Sequence, residues 1–563
     1  GLIVSKDSKK RSISRRDFVR QGATAGLSGA AVVGLAARET DEGGSQEQWD
    51  LTADVVIAGA GTSGLSAAIE AGDLGASVII VEANYDCGGH GIVSGGRVNL
   101  GGGTSRQRRQ GVEDSADAVF EYWTRPNNLQ SRYTDRDLTR VYADLSAETF
   151  EWMVENGVEF LDEAIGPDRR NGRTVQWPVY EELITSYPTR LGSGLVRALE
   201  KSARAKGTEI LLLHRMTDLV QEADSKRVIG LVTDNEGRMV RIRANKGVIL
   251  ATGGHTSNVA FRRMFDPRLT EEYQTAGEPY SEQTADGEVA AMKLGAALWG
   301  TASQTMEAGN WISKTAHIGC QWGYSSLWWQ PDSPIFDKAR ASGLSNVDWQ
   351  NVILVKQTGR RFHDETDAGH DFFAACLSYS GDPIKKNGGG PIWAIFDADA
   401  VRRQEWDPTP PNVDPAGYFF GADTLTELAG RIYNPNQTQR MQGGVLEQTL
   451  ARYNTFVDQG VDADFGKPSP RYKIQTPPFY AAWSTPILHD SLCGLRVDTR
   501  CCVIDLEEEV IEGLYCVGEA MGGFRYLAGD PDRPPSRVGL SIGDSLAATF
   551  ACVGTLAALH SRS

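Results

Sequence analysis

Residues 54–82 read DVVIAGAGTSGLSAAIEAGDLGASVIIVE, and this stretch constrains the fold more than any other part of the chain. An apolar, β-rich run, Val55-Val56-Ile57-Ala58, predicts a buried parallel strand. It enters a G-x-G-x-x-G turn at Gly59, Gly61 and Gly64, with Thr62 and Ser63 inside the turn. Gly59 permits the tight turn, Gly61 lets backbone approach a pyrophosphate, and Gly64 lets helix and strand pack closely. The helix that follows aims its N-terminal N–H groups at the phosphates. A second strand, Ser77–Val81, leads into Glu82 and Ala83, where a carboxylate accepts from ribose hydroxyls. A lone glycine triplet is a weak signal. Strand, triplet, helix, strand and terminal acid within about 30 residues make a dinucleotide-binding unit, and the fold class it predicts is α/β.

This unit alone does not choose between NAD and FAD. Residues 86–105 read DCGGHGIVSGGRVNLGGGTS, a glycine-dense loop carrying Gly89, His90, Ser94, Gly95 and Gly96. Backbone of this kind can lie against a flat ring system at close range. Residues 247–255, GVILATGGH, run from a strand into Ala251, Thr252, Gly253 and Gly254. Residues 513–523, GLYCVGEAMGG, place Gly518 and Glu519 at a strand end, where they meet a ribityl chain. A flat ring with a ribityl tail points to FAD.

With 563 residues the chain is too long for one simple core and is expected to form more than one lobe. The net charge of -16 argues against nucleic acid as the main partner, because phosphate binding needs a basic face. It argues weakly against docking on anionic lipid as well. The eight cysteines are scattered, with no CxxC and no CxxCH. That excludes c-type haem attachment and argues against a zinc or iron–sulfur site, so no metal is expected. They read as small buried hydrophobes, with one or two disulfides open outside the cytoplasm.

Residues 8–20 read SKKRSISRRDFVR, and a small-residue apolar run follows to about Ala37. A basic start, a weakly hydrophobic middle and small residues at the end make an export signal. The string from Ser14 to Val19, SRRDFV, resembles the twin-arginine consensus. The expectation is export of the folded protein to the periplasm or beyond, with residues 1–49 as signal and linker. The run is too short and too glycine-rich for a stable membrane span.

These pieces, in this order, resemble the flavoprotein superfamily of fumarate reductase, succinate dehydrogenase and the 3-ketosteroid dehydrogenases. The likeness adds ADGEVAAMKLGAAL at 285–298, GRRFHDE at 359–365 and PPFYA at 477–481. It implies a split Rossmann-like FAD-binding domain, residues 50–305 and 484–563, with an inserted α+β capping domain, residues 306–483. It also implies hydride movement at a carbon beside a carbonyl or carboxylate, with a protein acid or base moving a proton. Asp286 and Ser541 join the FAD contacts by the same likeness. Whether His90 carries the flavin covalently is left open.

Four side chains are catalytic candidates. The arginine that fumarate reductases carry a few residues after GxRFxxE is absent here, and His370 stands near its place. The family's histidine–proline–threonine segment is likewise replaced, by SQTME at 303–307. His370 suits general acid–base work near neutrality, or caps a helix. His489 matches the family's substrate-binding histidine, and Ser491 stands for its threonine. Arg537 lies near the carboxylate-clamping arginine, and suits bidentate binding. Tyr526 resembles the tyrosine that polarises a ketone, with the Gly539 N–H aimed at the same oxygen.

The aromatics Trp311, Trp322, Tyr324, Trp328 and Trp329 suit a flat, ring-containing substrate or an ordinary core. The leading expectation is an enzyme that introduces or reduces a C=C bond next to a carbonyl, on a cyclic ketone or steroid-like molecule. The alternatives are a fumarate-reductase-like enoate reductase and a non-catalytic FAD electron carrier. A plain NAD(P) dehydrogenase is a further rival. An external electron donor or acceptor is implied throughout.

Overall fold

The computed structural model describes residues 48–94, 96–124, 135–161, 173–176, 192–301, 310–322, 334–338, 341–378 and 389–522. The first strand, β1 (Leu51–Ala58), lies between β2 (Val78–Val81) and β6 (Arg238–Leu250) and runs parallel to both. A strand covered on both faces needs a continuous apolar run, and Val55–Ala58 are all buried. Helix α1 (Thr62–Asp73) returns the chain from β1 to β2. The second strand starts one residue later than its sequence suggests, because Ser77 is tied sideways: Asp54 N donates to Ser77 Oγ at 2.8 Å.

Beyond β2 the sheet continues in parallel to β3 (Glu209–Leu211). An antiparallel meander, β4 (Arg215–Gln221), β5 (Val228–Asn235) and the first half of β6, extends it on the other side.

A four-stranded antiparallel sheet stands apart from this one. It comprises β8 (Ile353–Lys356), β9 (Ile392–Asp397), β11 (Phe479–Trp483) and β10 (Phe419–Ala422), in that order. Successive side chains of its central strand serve two cores. Trp393 and Ile395 join Trp483, Leu446 and Tyr453 on one face, while Ala394 and Phe396 join Phe372 and Trp406 on the other. Helix α2 (His370–Leu377) packs through Phe372 and Cys376 into that second core. A short ribbon, β7 (Asn310–Ser313) with β12 (Ile487–Ser491), is antiparallel.

The C-terminal strands β13 (Cys502–Ile504) and β14 (Val510–Cys516) rejoin the large sheet, with β14 parallel to β6 at Val248–Leu250. That pairing brings Gly518 and Glu519 alongside Ala251–Gly254, segments far apart in the chain. No helix among the described residues is long and apolar enough to cross a membrane.

Candidate cofactor and active site

The three glycines of the turn are glycine for different reasons. Gly59 has φ +108°, and a Cβ there would lie 2.2 Å from the Ala251 carbonyl oxygen. A Cβ on Gly64 would lie 1.9 Å from the Gly59 oxygen. Protein packing forbids side chains at both. At Gly61 the nearest protein atom to such a Cβ, the Gly88 oxygen, is 3.9 Å away, so packing leaves that space open. Gly61 lines a cavity of about 340 Å³, within the range of small-molecule sites. The space beside Gly61 is where a bound pyrophosphate needs close backbone approach.

The same cavity is lined by Gly59, Thr62 and Ser63 of the turn, and by Glu82 and Ala83 after β2. Gly89 and His90 line it from the glycine loop, and Ala251, Thr252 and Gly253 from the end of β6. Asp286 stands near Arg215, which pairs with it at 2.9 Å, and Glu519 completes the set. Gly64 and Gly254 stand behind this lining. A Cβ on Gly254 would collide with Ser491 Oγ at 1.9 Å. Ser94, Gly96 and Gly518 do not line the cavity, and Gly95 and Ser541 lie outside the described residues.

Two features of the lining fit FAD on their own account. Thr252 Oγ1 is buried and has no hydrogen-bond partner among the described residues, a polar atom that calls for one. Glu82 stands at the end of β2, where its carboxylate accepts from Ala60 N at 2.7 Å and Asn84 N at 2.8 Å. Burial pushes its carboxyl above the usual range, against the pull of those N–H groups. The residues that would hold FAD are therefore the turn glycines, Thr252 and Glu82.

Sequence reasoning missed the supports of this site. Arg197 Nη1 holds Asp86 at 2.8 Å and fixes the start of the glycine loop. Tyr280 Oη donates to the Cys87 carbonyl at 3.0 Å, and Asn84 Nδ2 to the Tyr280 carbonyl at 2.8 Å. The 277–284 segment thereby becomes a wall. Gln283, on that wall, donates from Nε2 to Glu519 Oε2 at 2.6 Å. Only a local signal could have found these residues, and none exists, since each partner is distant in sequence.

Next to His90 and Glu519, and itself outside the cavity lining, β12 carries a bulge. Trp311 faces Asp490 and Ile312 faces Leu488, which leaves His489 as the extra residue. Neighbours on a regular strand point to opposite faces, and a bulge re-aims them. Here His489 Nδ1 lies 2.8 Å from Asp490 Oδ2, with His489 almost fully buried. The imidazoles of His489 and His90 have centroids 6.0 Å apart and an interplanar angle of 28°. Glu519 Oε1 accepts from Ser491 N at 2.9 Å and from Ser491 Oγ at 3.2 Å. Two carboxylates and two histidines thus share one end of the site, and Asp490 is the member that sequence reasoning did not single out.

The other catalytic candidates fall outside what the structure describes. His370 opens helix α2, but its side chain is outside the described set, as are Tyr526, Gly539 and Arg537. In the GRRFHDE segment, Arg361 is bound to Glu365 at 2.8 Å and to Asp462 at 2.8 Å, all three buried. His363 Nε2 lies 2.9 Å from Asp367 Oδ2. Of the aromatic stretch, Trp322 donates from Nε1 to the Lys338 carbonyl at 3.0 Å, and Trp311 falls on β7. Tyr324, Trp328 and Trp329 are outside the described residues. The seven cysteines described are buried free thiols, so the disulfide alternative finds no bridge among them.

Comparison with known proteins agrees with this architecture. The FAD binding domain family model matches residues 54–528. A CoA-transferase family III model matches only residues 511–563, of which the described part is β14 and the turn after it. A probable fumarate reductase of Shewanella frigidimarina (strain NCIMB 400) is 25% identical over 499 residues, covering 88% of this chain and 75% of its own. A vinyl phenol reductase of Lactiplantibacillus plantarum is 26% identical over 520 residues, covering 86% and 93%. The solved structure of a 3-ketosteroid Δ1-dehydrogenase from Sterolibacterium denitrificans, in complex with 1,4-androstadiene-3,17-dione, superposes with a TM-score of 0.62 at 20% identity. It covers 91% of this chain and 100% of that one, and establishes the shared fold, a Rossmann-like FAD-binding domain with a capping domain. With its FAD-binding turn in place and the family model spanning most of its length, the chain belongs to the FAD binding domain family and is an FAD-dependent oxidoreductase.

Proposed function

We propose that the protein introduces or reduces a C=C bond conjugated to a carbonyl, with a neutral cyclic ketone as substrate class. The observation that carries this reading is the His489–Asp490 pair, 2.8 Å apart, beside His90 and Glu519 of the cavity wall. FAD, when bound, supplies the hydride chemistry. The protein supplies the proton. Asp490 accepts from His489 Nδ1 and so holds Nε2 as the atom that gives or takes a proton at the substrate. Glu519 stands in the same cluster, its oxygens held by Ser491 and Gln283. Two carboxylates at one end of the site disfavour an anionic substrate there, which puts a ketone ahead of an unsaturated acid. The named relatives that reduce fumarate and vinyl phenol, and the ketosteroid-bound neighbour, support C=C chemistry and leave the substrate class to experiment.

The enoate reading remains the second one, and Arg537 is its natural carboxylate clamp. In the same proposal, residues 306–483 form the cap, His370 and Tyr526 assist at the substrate carbonyl, and Ser94–Gly96, Asp286, Gly518 and Ser541 contact FAD. The SRRDFV string supports export by the twin-arginine route, with an external electron carrier as partner.

Anaerobic mixing of the oxidised holoprotein with cyclic ketones, ketosteroids and saturated acids, followed at the flavin band, tests this. Bleaching by a ketone is the expected result. Bleaching by acids alone moves the function to Arg537 and the enoate reading. If nothing bleaches the flavin, and neither enones nor enoates reoxidise the reduced protein, the electron-carrier alternative takes its place.

A further inference from the structure

His90 sits in the wall of the FAD cavity with 8% of its surface exposed, and the Gln283 amide contacts its ring nitrogen. Gln283 has its Oε1 against the Thr256 hydroxyl, and its Nε2 against both His90 Nδ1 and Glu519 Oε2. The amide has only one orientation that suits these neighbours. An ionised carboxylate only accepts, so the group facing Glu519 must be the NH2. Thr256 then donates to Oε1. The second hydrogen of Nε2 points at His90 Nδ1, which must accept it and so carries no proton of its own.

Among the described residues, Glu519, His489 and Asp490 face His90 and bear on this assignment. Glu519 Oε2 is 3.9 Å from Nδ1, His489 faces the ring, and Asp490 offers a carboxylate oxygen within 4.8 Å. The two acids pull toward an imidazolium. Glu519, however, already accepts from Ser491 N, Ser491 Oγ and Gln283 Nε2, and Asp490 is engaged by His489. Burial opposes the charged ring. Protonating Nδ1 would also turn it against the hydrogen of Gln283 and break that hydrogen bond.

We propose that Gln283 is a positioning residue that keeps His90 a neutral imidazole protonated at Nε2, and that FAD is therefore held without a covalent bond to this histidine. Covalent attachment needs an in-plane nitrogen lone pair on the ring. The Nδ1 lone pair accepts from Gln283, and the Nε2 nitrogen carries the proton. The inference concerns the cofactor and holds whichever substrate class is right.

Two measurements on the holoprotein test it. Nitrogen-15 NMR of histidine-labelled protein, with His90 identified by loss of its signals in His90→Gln, should show one proton, on Nε2, across pH 6 to 8 as a window about the ordinary histidine pKa of roughly 6.5. Acid precipitation should release the yellow colour into the supernatant as intact FAD. In Gln283→Glu a carboxylate faces Nδ1, and His90 should become doubly protonated at neutral pH. A doubly protonated His90 in the unaltered protein, an Nδ1–H tautomer, or flavin that stays with the precipitate overturns the proposal. Because both measurements are decisive on the unaltered protein, a variant that fails to fold does not rescue it.

Discussion

His489 and Asp490 are neighbours on a strand, yet their side chains meet, Nδ1 to carboxylate, at 2.8 Å. The bulge opposite Trp311 and Ile312 makes this possible. On a regular strand the two would point to opposite faces, and the histidine would have lost its orienting partner.

This relationship yields the first prediction. Asp490→Asn preserves shape but removes the acceptor that fixes the histidine tautomer. A fall in kcat of roughly 10²–10⁴ is expected, with a smaller change in KM, on whichever substrate bleaches the flavin. Steady-state kinetics across pH checks it. An unchanged kcat would remove His489 as the proton-transfer group.

The turn glycines should separate folding from cofactor binding. Gly64→Ala sets a methyl group 1.9 Å from the Gly59 carbonyl oxygen, so this variant should be destabilised even without FAD. Gly61→Ala meets no protein atom closer than 3.9 Å. It should fold with a near-normal apoprotein Tm but lose FAD affinity by roughly tenfold or more, about 1.4 kcal/mol per decade. Thermal unfolding of the apoproteins and flavin titration decide the matter. Equal loss of Tm in both variants would refute the assignment.

Thr252 should show two effects of opposite sign. Its buried Oγ1 lacks a partner among the described residues, so Thr252→Val should stabilise the apoprotein or leave it unchanged. The same change should weaken FAD binding by about 1 kcal/mol, roughly fivefold, if the hydroxyl meets the cofactor. Denaturant melts and FAD titration of the two proteins provide the comparison.

The acid limb of stability should depend on Glu365. Burial alone would raise this carboxyl, but Lys467 and Arg361 beside it hold it down at about 2, from an ordinary 4.5. A depressed folded pKa means its contribution is fully present above pH 4.5 and is lost as pH falls toward 2. Glu365→Gln leaves Arg361 with Asp462, and the Lys467 ammonium with the Trp349 and Val352 carbonyls in place of its carboxylate, and should cost roughly 3–5 kcal/mol at neutral pH. Tm measured from pH 7 down to the acid limb should fall less steeply in the variant than in the parent protein. Parallel curves would show that folding does not shift the Glu365 carboxyl.

Local chemistry explains how much was readable without coordinates. The unit at 54–82 was legible because a parallel central strand, a glycine turn and a helix start are all encoded within one short window. Each rests on backbone sterics or burial of adjacent residues. The segment after β6 and the Gly518-Glu519 turn were legible for the same reason, each being a strand end followed by small residues. The Gln283 bridge was not legible. It spans 193 residues to His90 and 236 to Glu519, and its donor orientation is set by an acid in the turn after β14. Asp490 was hidden differently, since period-two reasoning places it away from His489 and only the bulge reverses that. Arg361 read as part of the family likeness, and its guanidinium is taken up by Glu365 and Asp462, the latter 101 residues away.

The sequence by itself determined that this chain builds a dinucleotide turn, because the positive φ at Gly59 and the Gly64–Gly59 approach are limits that act over a few residues, and the later glycine loop and Gly518-Glu519 turn pointed to FAD. Tertiary structure alone decided which polar groups face the cofactor and one another. Sheet pairing of β14 with β6 delivered Glu519, a bulge in β12 delivered Asp490, and a wall held by Tyr280 delivered Gln283. Hydrogen bonds and charges act over a few ångströms of space, and distance along the chain does not reveal which groups the fold will bring that close.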